Sequence, residues 1–258
     1  MNNRELQEFY NRVYKKGERK HYSKFLLTKE GLTQEKRAIL NTTSWNRKRV
    51  LDIGCGTGEL AYHIAQKAKY VCGIDYAPSA IKIAQKHYQR DNLTYLQSDV
   101  ESLDEAFDVI VMAGVLEHID EPFLLLKKLS HLLAPKGSII VTCPNWSNMR
   151  GYILLALAML FDARITLADI HYFTPVEFEA WARKLRMKLS WNSIEQEWGH
   201  GEKMIADFKK RLPKVLQDTQ VKISPQKISR FIAWLSKHYA LETNQKASGS
   251  VGIYHLKR

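Results

Sequence analysis

Residues 50–58 read Val-Leu-Asp-Ile-Gly-Cys-Gly-Thr-Gly, and this stretch decides the fold of the chain. An apolar run with one acid opens into three glycines at alternate positions, and a helical pattern of apolar residues follows at 59–65. Glycines allow positive φ angles and a close approach of the backbone to a ligand. A helix that starts behind them presents free N–H groups. The stretch therefore predicts a strand, a ligand-binding turn and a helix.

The composition is that of a globular protein with one sizeable domain, or one domain and a cap. The chain has 258 residues, and 45% of them are hydrophobic. Its three cysteines (Cys55, Cys72 and Cys143) are odd in number and lack the spacing of a zinc site. Residues 1–20 are polar and do not form a secretory leader, so we expect reduced thiols and a cytoplasmic location. The longest apolar run, residues 153–161, is too short to span a bilayer.

The net charge of +12 is distributed unevenly along the chain. Residues 1–49 carry 13 Lys/Arg against 5 Asp/Glu, residues 50–145 carry 8 against 12, and residues 146–258 carry 18 against 10. The glycine turn therefore lies in an acidic middle between two basic flanks. Basic flanks are typical of proteins that bind nucleic acid, an anionic small substrate or an anionic membrane surface. An ordinary solvated basic surface explains them equally well.

Apolar runs alternate with helical patterns between residues 49 and 143. This alternation predicts an α/β, doubly wound fold with a mostly parallel sheet. Two late strands, predicted as an antiparallel pair, bring the sheet to seven strands. The predicted strands are Arg49–Ile53, Tyr70–Asp75, Thr94–Gln97, Asp108–Met112, Ser138–Cys143, Lys188–Ile194 and Val251–Leu256; the predicted helices are Gly58–Lys67, Ser79–Gln89, Pro122–Leu133 and Pro175–Leu185.

The predicted domain organisation is an N-terminal helical cap at 1–48 and one main domain at 49–258. Within the main domain, residues 146–173 form a lid segment, and residues 199–243 form a helical insertion between the last two strands. A turn at Pro135-Lys136-Gly137 is predicted to separate the third helix from the fifth strand.

Four successive predicted strand ends carry polar or glycine residues, at the edge where open α/β sheets bind ligands. The first ends in the glycine turn, the second in Asp75, the third in Asp99, and the fourth in residues 113–118 (A-G-V-L-E-H). An acid after the second strand can accept hydrogen bonds from both hydroxyls of a ribose. Structural roles stay open, because Asp52 could terminate a strand and Asp75 or Asp99 could cap a helix or a turn.

The ordered set of motifs resembles the class I S-adenosylmethionine-dependent methyltransferase family. The motifs are V-L-D-I-G-C-G-T-G, G-I-D, S-D-V, F-D-V-I-V, L-E-H-I, L-A-P-K-G and T-C-P-N, and they cover residues 49–145 in order. The branch they most resemble contains small-molecule and ubiquinone-biosynthesis O-methyltransferases. A nicotinamide-dependent dehydrogenase also has an acid after the second strand, but in its G-x-G-x-x-G turn the third glycine comes one residue later. The resemblance implies a Rossmann-like sheet with a helical cap, and S-adenosylmethionine as cofactor.

The resemblance also implies a role for each strand end in binding the cofactor. The glycine turn would lie against the methionine part, and Asp52 would hold the amino group. Asp75 would accept the ribose hydroxyls, and Asp99 the adenine amino group. The acidic middle of the chain suits a positively charged sulfonium. The predicted cofactor-binding residues are Asp52, Gly54, Cys55, Gly56, Gly58, Asp75, Tyr76, Asp99, Val100, Ala113 and Gly114.

Two histidines are candidates for the base that removes the proton of a hydroxyl acceptor. His118 follows the fourth strand near the implied position of the methyl group, and His171 precedes a predicted N-cap, Thr174. Each has a structural alternative: residues 117–118 could only organise the loop, and His171 could be a packed residue between aromatics. The ubiquinone branch has a pattern resembling E-x-x-E-H that can supply a divalent cation. Gly114 replaces its first glutamate here, so we predict no metal.

Acceptor-binding residues are predicted on segments around the cofactor motifs. Asn145 ends the fifth strand, although it could instead satisfy turn backbone. The N-terminal tyrosines lie in a segment that covers the pocket in the resembling enzymes. The apolar run at 153–161 predicts core packing, a lid over an apolar substrate or a homodimer face. The predicted acceptor-binding residues are Tyr14, Tyr22, Glu117, Asn145 and His171.

These observations predict an enzyme that methylates a small molecule at a hydroxyl oxygen. The basic flanks and the apolar run predict an acceptor that is partly apolar or partly anionic. One alternative is an RNA methyltransferase that uses the basic flanks, and another is a cofactor-binding domain without catalysis. The fourth strand is not followed by the N-P-P-Y-type tetrapeptide of base-amine methyltransferases, so nucleic acid is the weaker prediction.

Overall fold

The structure is a computed structural model, and it describes residues 8, 32–100, 103–166, 168–199, 201–217, 219, 223–238 and 246–258. Most of the predicted N-terminal cap lies outside the described residues, and so do Tyr14 and Tyr22.

A seven-stranded sheet in the order β3-β2-β1-β4-β5-β7-β6 forms the centre of the fold. Neighbours from β3 to β5 pair in parallel, and β7 pairs antiparallel with both β5 and β6. The predicted fold class, α/β with a doubly wound and mostly parallel seven-stranded sheet, is confirmed. The strands are β1 Arg49–Ile53, β2 Tyr70–Asp75, β3 Leu93–Gln97, β4 Phe107–Ala113, β5 Leu133–Pro144, β6 Lys188–Ile194 and β7 Val251–Lys257.

Helices cover both faces of the sheet, and the central strands are buried on both sides, as is typical of parallel sheets. On β4, Ile110 and Met112 pack in one cluster with α4 and α6, whereas Val109 and Val111 pack in another with α1, α2 and α3. The helices are α1 Gln34–Thr42, α2 Glu59–Ala65, α3 Pro78–His87, α4 Pro122–His131, α5 Met149–Phe161, α6 Pro175–Leu185, α7 Gln196–Gly199, α8 Gly201–Gln217 and α9 Pro225–His238, with a 3₁₀ turn at Leu116–His118.

The start of β5 differs from the prediction. Strand β5 begins at Leu133, and Pro135-Lys136-Gly137 lies inside it rather than in a turn before it. Leu133 pairs with Phe107 and Ser138 pairs with Val109, so the intervening residues form an irregular bulge, in which Lys136 has a φ of 62°. The ladder starts early because the N–H of Phe107 donates to the carbonyl of Leu132 at 2.8 Å, ahead of the bulge.

A third hydrophobic cluster joins α5, α8 and α9 beside the sheet. Helices α7, α8 and α9 all lie between β6 and β7 in the chain. Their buried residues are spaced at helical intervals, for example Met204, Phe208 and Leu212 on α8. This helical layer, formed by α5, α8 and α9, lies outside the doubly wound part of the fold.

Thr174 is the N-cap of α6, as predicted. Its side chain accepts from the N–H of Val176 at 3.3 Å, and the Glu177 carboxylate accepts from the N–H of Thr174 at 2.7 Å. This capping box fixes where α6 begins. It therefore also fixes the end of the segment 168–173 that leads into it.

Candidate functional site

The glycine turn after β1 has the backbone geometry that only glycine adopts without strain. Gly54, Gly56 and Gly58 all have positive φ angles, of 67°, 53° and 88°. A Cβ on Gly58 would lie 2.5 Å from the hydroxyl of Tyr95 and 2.8 Å from the Cβ of Ala84. The turn is thus packed closely against Tyr95 and Ala84 at Gly58.

Asp75, at the end of β2, is fixed by backbone N–H groups of the glycine turn and of the residue two positions after Asp75. Its carboxylate accepts from the N–H of Gly56 at 2.9 Å and from the N–H of Ala77 at 2.8 Å. Burial raises the pKa of Asp75, and the two N–H donors oppose that rise. Each carboxylate oxygen has a second lone pair, so the carboxylate can also accept from two hydroxyls.

Asp52, on β1, is a buried acid with one carboxylate oxygen that accepts no hydrogen bond from the described residues. Its side chain is 1% exposed, and Oδ2 has no hydrogen-bond partner there. Burial raises the pKa of Asp52 to about 7, with Lys36 acting to lower it and Asp75 to raise it. Because side chains alternate along a strand, Asp52 faces the same side as Val50, which packs in the cluster with α1. An oxygen of this kind suits an ammonium group of a ligand.

The 3₁₀ turn after β4 brings a second buried acid to the same edge. Glu117 is 4% exposed, and its Oε2 has no hydrogen-bond partner among the described residues. Burial raises the pKa of Glu117 well above its ordinary value, and Asp169 and Glu35 raise it further. The carbonyl of Glu117 accepts from the N–H groups of Ile170 and His171, at 3.0 and 3.2 Å. These bonds join the turn to the segment 168–173.

His118 lies in the same turn and is held by that segment. Its Nδ1 is 3.2 Å from the carbonyl oxygen of Ala168 and 3.8 Å from Oδ1 of Asp169. The His118 side chain is only 10% exposed. Burial raises the pKa of Asp169, while His118, Arg211 and Arg150 act to lower it. The arrangement orients the ring and places a carboxylate beside it.

His171 and Asn145 use hydrogen bonds to hold local structure. Nε2 of His171 is 2.9 Å from the carbonyl oxygen of Ile119, and its ring stacks on Phe173 at 5.4 Å. The Asn145 amide donates to two carbonyls of residues 247 and 249, and its oxygen accepts from Ser147. Asn145 therefore fits the turn-satisfying alternative better than the predicted contact with an acceptor.

The other predicted cofactor residues lie along the same edge. Ala113 and Gly114 end β4, and the N–H of Gly114 donates to the carbonyl of Thr142 at 3.0 Å. Beyond β3, Asp99 is exposed and Val100 is buried. Tyr76 is half-buried, and burial and Asp75 raise its pKa. Cys55, Cys72 and Cys143 are buried free thiols, and burial raises the pKa of each, so all three are unreactive.

The structure adds residues that the sequence analysis did not predict. Lys36 on α1 pairs with Glu59 at the start of α2 and lowers the pKa of Asp52. Glu35, also on α1, accepts from the hydroxyl of Thr142 at 2.6 Å. No motif marks them, because α1 lies outside the alternating region. Asp169 stands two residues before the candidate His171 in the sequence. The sequence does not show that Asp169 pairs with His118.

A groove of about 980 Å³ lies elsewhere, between α8 and α9. It touches neither Asp75 nor the glycine turn, so we do not assign the cofactor to it. No group of three or more His, Cys, Asp or Glu residues that could hold a metal ion occurs among the described residues.

Comparison with known proteins agrees with this geometry. Proteins named ubiquinone biosynthesis O-methyltransferase from Nitrosococcus oceani and Haemophilus ducreyi are 27% and 30% identical over 186 and 148 residues. These alignments cover 66% and 52% of this chain, and 78% and 62% of the relatives. The crystal structure of magnesium protoporphyrin IX methyltransferase from Synechocystis PCC 6803 with bound SAH has a TM-score of 0.61 at 14% identity, with both chains covered completely. At that identity the likeness shows a shared fold.

A family profile described as "Methyltransferase domain" matches residues 6–185, and the chain belongs to that family. It is an S-adenosylmethionine-dependent methyltransferase.

The residues at the strand ends fit this cofactor. The unsatisfied Oδ2 of Asp52 suits an amino group, and the glycine turn leaves backbone exposed where a methionine part would lie. The oriented carboxylate of Asp75 suits a pair of ribose hydroxyls.

Proposed function

We propose that the protein transfers the methyl group to a hydroxyl oxygen of a small-molecule acceptor, with His118 as the general base. The observation that carries the proposal is the position of the His118 ring. It lies next to the end of β4, with Nδ1 between the Ala168 carbonyl and the Asp169 carboxylate. These contacts support His118 as a positioned base beside the residues that we assign to the cofactor.

The contacts of Nδ1 decide which nitrogen can act. A carbonyl oxygen accepts and does not donate, so the contact at 3.2 Å needs a proton on Nδ1. In the neutral ring the lone pair is then on Nε2. When Nε2 takes up the acceptor proton, the Asp169 carboxylate at 3.8 Å stabilises the imidazolium. The His171 ring is held by internal contacts instead, since its Nε2 contacts the Ile119 carbonyl and the ring stacks on Phe173.

The remaining residues position the reactants. The bound cofactor supplies an electrophilic methyl group on a good leaving group. Asp75 holds the ribose of the cofactor, and Asp52 holds its amino group. The acceptor oxygen has to lie in line with the methyl group. Burial raises the pKa of Glu117 and so favours its protonated form, and a protonated carboxyl can donate a hydrogen bond to an oxygen of the acceptor. The names of the relatives support oxygen as the methylated atom.

The test compares His118→Gln with His171→Gln in assays that follow methyl transfer to small phenols, catechols and sugars and to bulk tRNA. We expect methyl transfer to a small hydroxyl compound. His118→Gln should lower kcat by about 10² to 10⁴, with the dissociation constant of the cofactor unchanged. His171→Gln should lower thermal stability more than kcat, since its ring contacts are internal.

Three results would contradict the proposal. Labelled tRNA with no small-molecule product would favour the RNA alternative. Cofactor binding without transfer to any acceptor would favour the non-catalytic alternative. Full activity of His118→Gln on the true acceptor would remove the general base.

A further inference from the structure

Helix α9 has an outward face that the core does not use. Ile232 and Leu235 are buried and pack in the third hydrophobic cluster, with Ile228 partly buried beside them. At 100° per residue, four side chains cover an arc of about 100° that adjoins this buried face. All four are exposed: Lys227, Arg230, Phe231 and Trp234.

This face is basic and aromatic at once. Helix α9 contains no Asp or Glu, and residues 208–238 hold 8 Lys/Arg against 1 Asp/Glu. Phe231 is 38% exposed and Trp234 is 47% exposed, which is unusual for large aromatic side chains. Lys227 and Arg230 therefore lie on the same helix face as the two exposed aromatic side chains.

Such a face matches the chemistry of an anionic lipid surface. Trp and Phe insert at the level of the lipid headgroups, while Lys and Arg reach to the negative charges. Helix α5 packs in the same cluster and exposes Met159 and Leu160, at 81% and 73%. These aliphatic side chains suit acyl chains and do not stack on bases. The combination favours lipid over RNA as the partner.

We infer that α9 docks the protein on a membrane surface that contains anionic lipids. Helix α9 lies after residue 185, beyond the part of the chain that the methyltransferase profile matches. No described helix is long and apolar enough to cross a bilayer, so docking is peripheral. The inference does not depend on the acceptor or on His118, and it can fail or hold independently of the proposed function.

The test uses the full chain and sedimentation with two kinds of vesicle, phosphatidylcholine alone and phosphatidylcholine mixed with phosphatidylglycerol. We expect binding to the mixed vesicles only. Each basic residue near an anionic surface contributes roughly a factor of five, so K227Q/R230Q should weaken binding roughly 25-fold. The matched control is K82Q/K86Q, two exposed lysines of α3, which should bind as the parent does.

The aromatic pair has its own matched control. F231S/W234S should lose binding, whereas L124S/V176S, which replaces exposed apolar residues of α4 and α6, should keep it. Vesicles with brominated acyl chains should quench tryptophan fluorescence, and W234F should remove the quenched part of the signal. This conservative variant keeps the test valid if the double variant unfolds.

Equal binding to both kinds of vesicle, or no binding to either, would overturn the inference. So would the same vesicle affinity for K227Q/R230Q and K82Q/K86Q, or undiminished quenching in W234F. Retention on tRNA that K227Q/R230Q abolishes, without vesicle binding, would show that the face binds nucleic acid instead.

Discussion

The cofactor side and the acceptor side of the sheet edge hold their residues in different ways. On the cofactor side, backbone N–H groups fix the side chain that ends a strand, as Gly56 and Ala77 do for Asp75. On the acceptor side, side chains contact segments far away in the chain. His118 meets Ala168 and Asp169, 50 and 51 positions later.

The difference shows what makes a site residue recognisable. A backbone-built site needs particular residue types at a fixed spacing, because glycine alone tolerates the turn and an acid must follow the neighbouring strand. A site built from distant side chains needs no local spacing. The predictions below test whether the cofactor side is as strictly determined as this comparison implies.

The largest effect is expected for Gly58→Ala. Alanine at a φ of 88° is strained by about 1–2 kcal/mol, and its Cβ would lie 2.5 Å from the Tyr95 hydroxyl. Overpacking of this kind adds about 1–3 kcal/mol. We expect the free energy of unfolding, measured with urea, to fall by about 2–5 kcal/mol.

Gly114→Ala is the matched control, since Gly114 also has a positive φ, of 64°. Its Cβ would meet only Oε1 of Glu117, at an ordinary 3.7 Å. It should therefore lose only the strain of about 1–2 kcal/mol. Equal losses in the two variants would show that the packing of Tyr95 against the turn does not restrict it.

A smaller effect, of opposite sign, is expected for Asp52→Asn. Burial raises the pKa of Asp52 from 3.8 to about 7, so the folded protein holds this proton more tightly than the unfolded chain. Stability from this group is therefore lost as pH rises from about 4 to 7. Asparagine cannot ionise, and we expect a gain of about 2 kcal/mol at pH 8 and little gain near pH 4. This is about half of what the shift corresponds to, because a buried amide still lacks partners.

Urea unfolding of the cofactor-free protein at several pH values measures this effect, and calorimetry of the same variant measures cofactor affinity. We expect greater stability with weaker binding, since the unsatisfied carboxylate would serve the amino group of the ligand. A pH-independent difference between Asp52→Asn and the parent would mean that Asp52 does not carry the buried charge.

The features that could be predicted from the sequence are mostly those that depend on local spacing, as on the cofactor side. The mostly parallel seven-stranded sheet, the strand positions of Asp52 and Asp75 and the N-cap Thr174 followed from local patterns and strand alternation. The pairing of Asp169 with His118 did not, because it depends on a crossing of distant segments. The bulge in β5 could not be predicted from local patterns either. There the ladder continues past Pro135 and Gly137, residues that ordinarily end a strand.

The role of Lys36 was also beyond the sequence, and for Asn145 the sequence left two alternatives open. Lys36 lies in a helix before the alternating region, and only packing of α1 brings it near Asp52. Asn145 has the residue type and place of a ligand contact, yet two carbonyls of residues 247 and 249 occupy its amide. A polar residue at a strand end can thus hydrogen-bond to the backbone of a distant loop, and the spacing of residues in the sequence does not predict such a contact.

The smallest effect is expected for Asp75→Asn. Asparagine has one acceptor oxygen, so either Gly56 or Ala77 would face an NH₂ group in place of an acceptor. The ribose hydroxyls would also lose the charged acceptor, worth about 1.5–2 kcal/mol. We expect calorimetry to show cofactor affinity lower by about tenfold to thirtyfold, and lower still for Asp75→Ala.

Asp108→Asn separates this loss from a general loss of stability. Asp108 also accepts from a backbone N–H, that of Arg49 at 2.8 Å, but it lies near the start of β4, at the opposite edge of the sheet. Both variants remove a charged acceptor of a backbone N–H near a strand end, so the unfolding free energy should fall in both. Only Asp75→Asn should weaken the cofactor, because only its carboxylate lies at the carboxyl edge. Unchanged binding in Asp75→Asn would remove β2 from the cofactor site, and equal weakening in Asp108→Asn would mean that affinity follows the stability of the sheet rather than the residues at its edge.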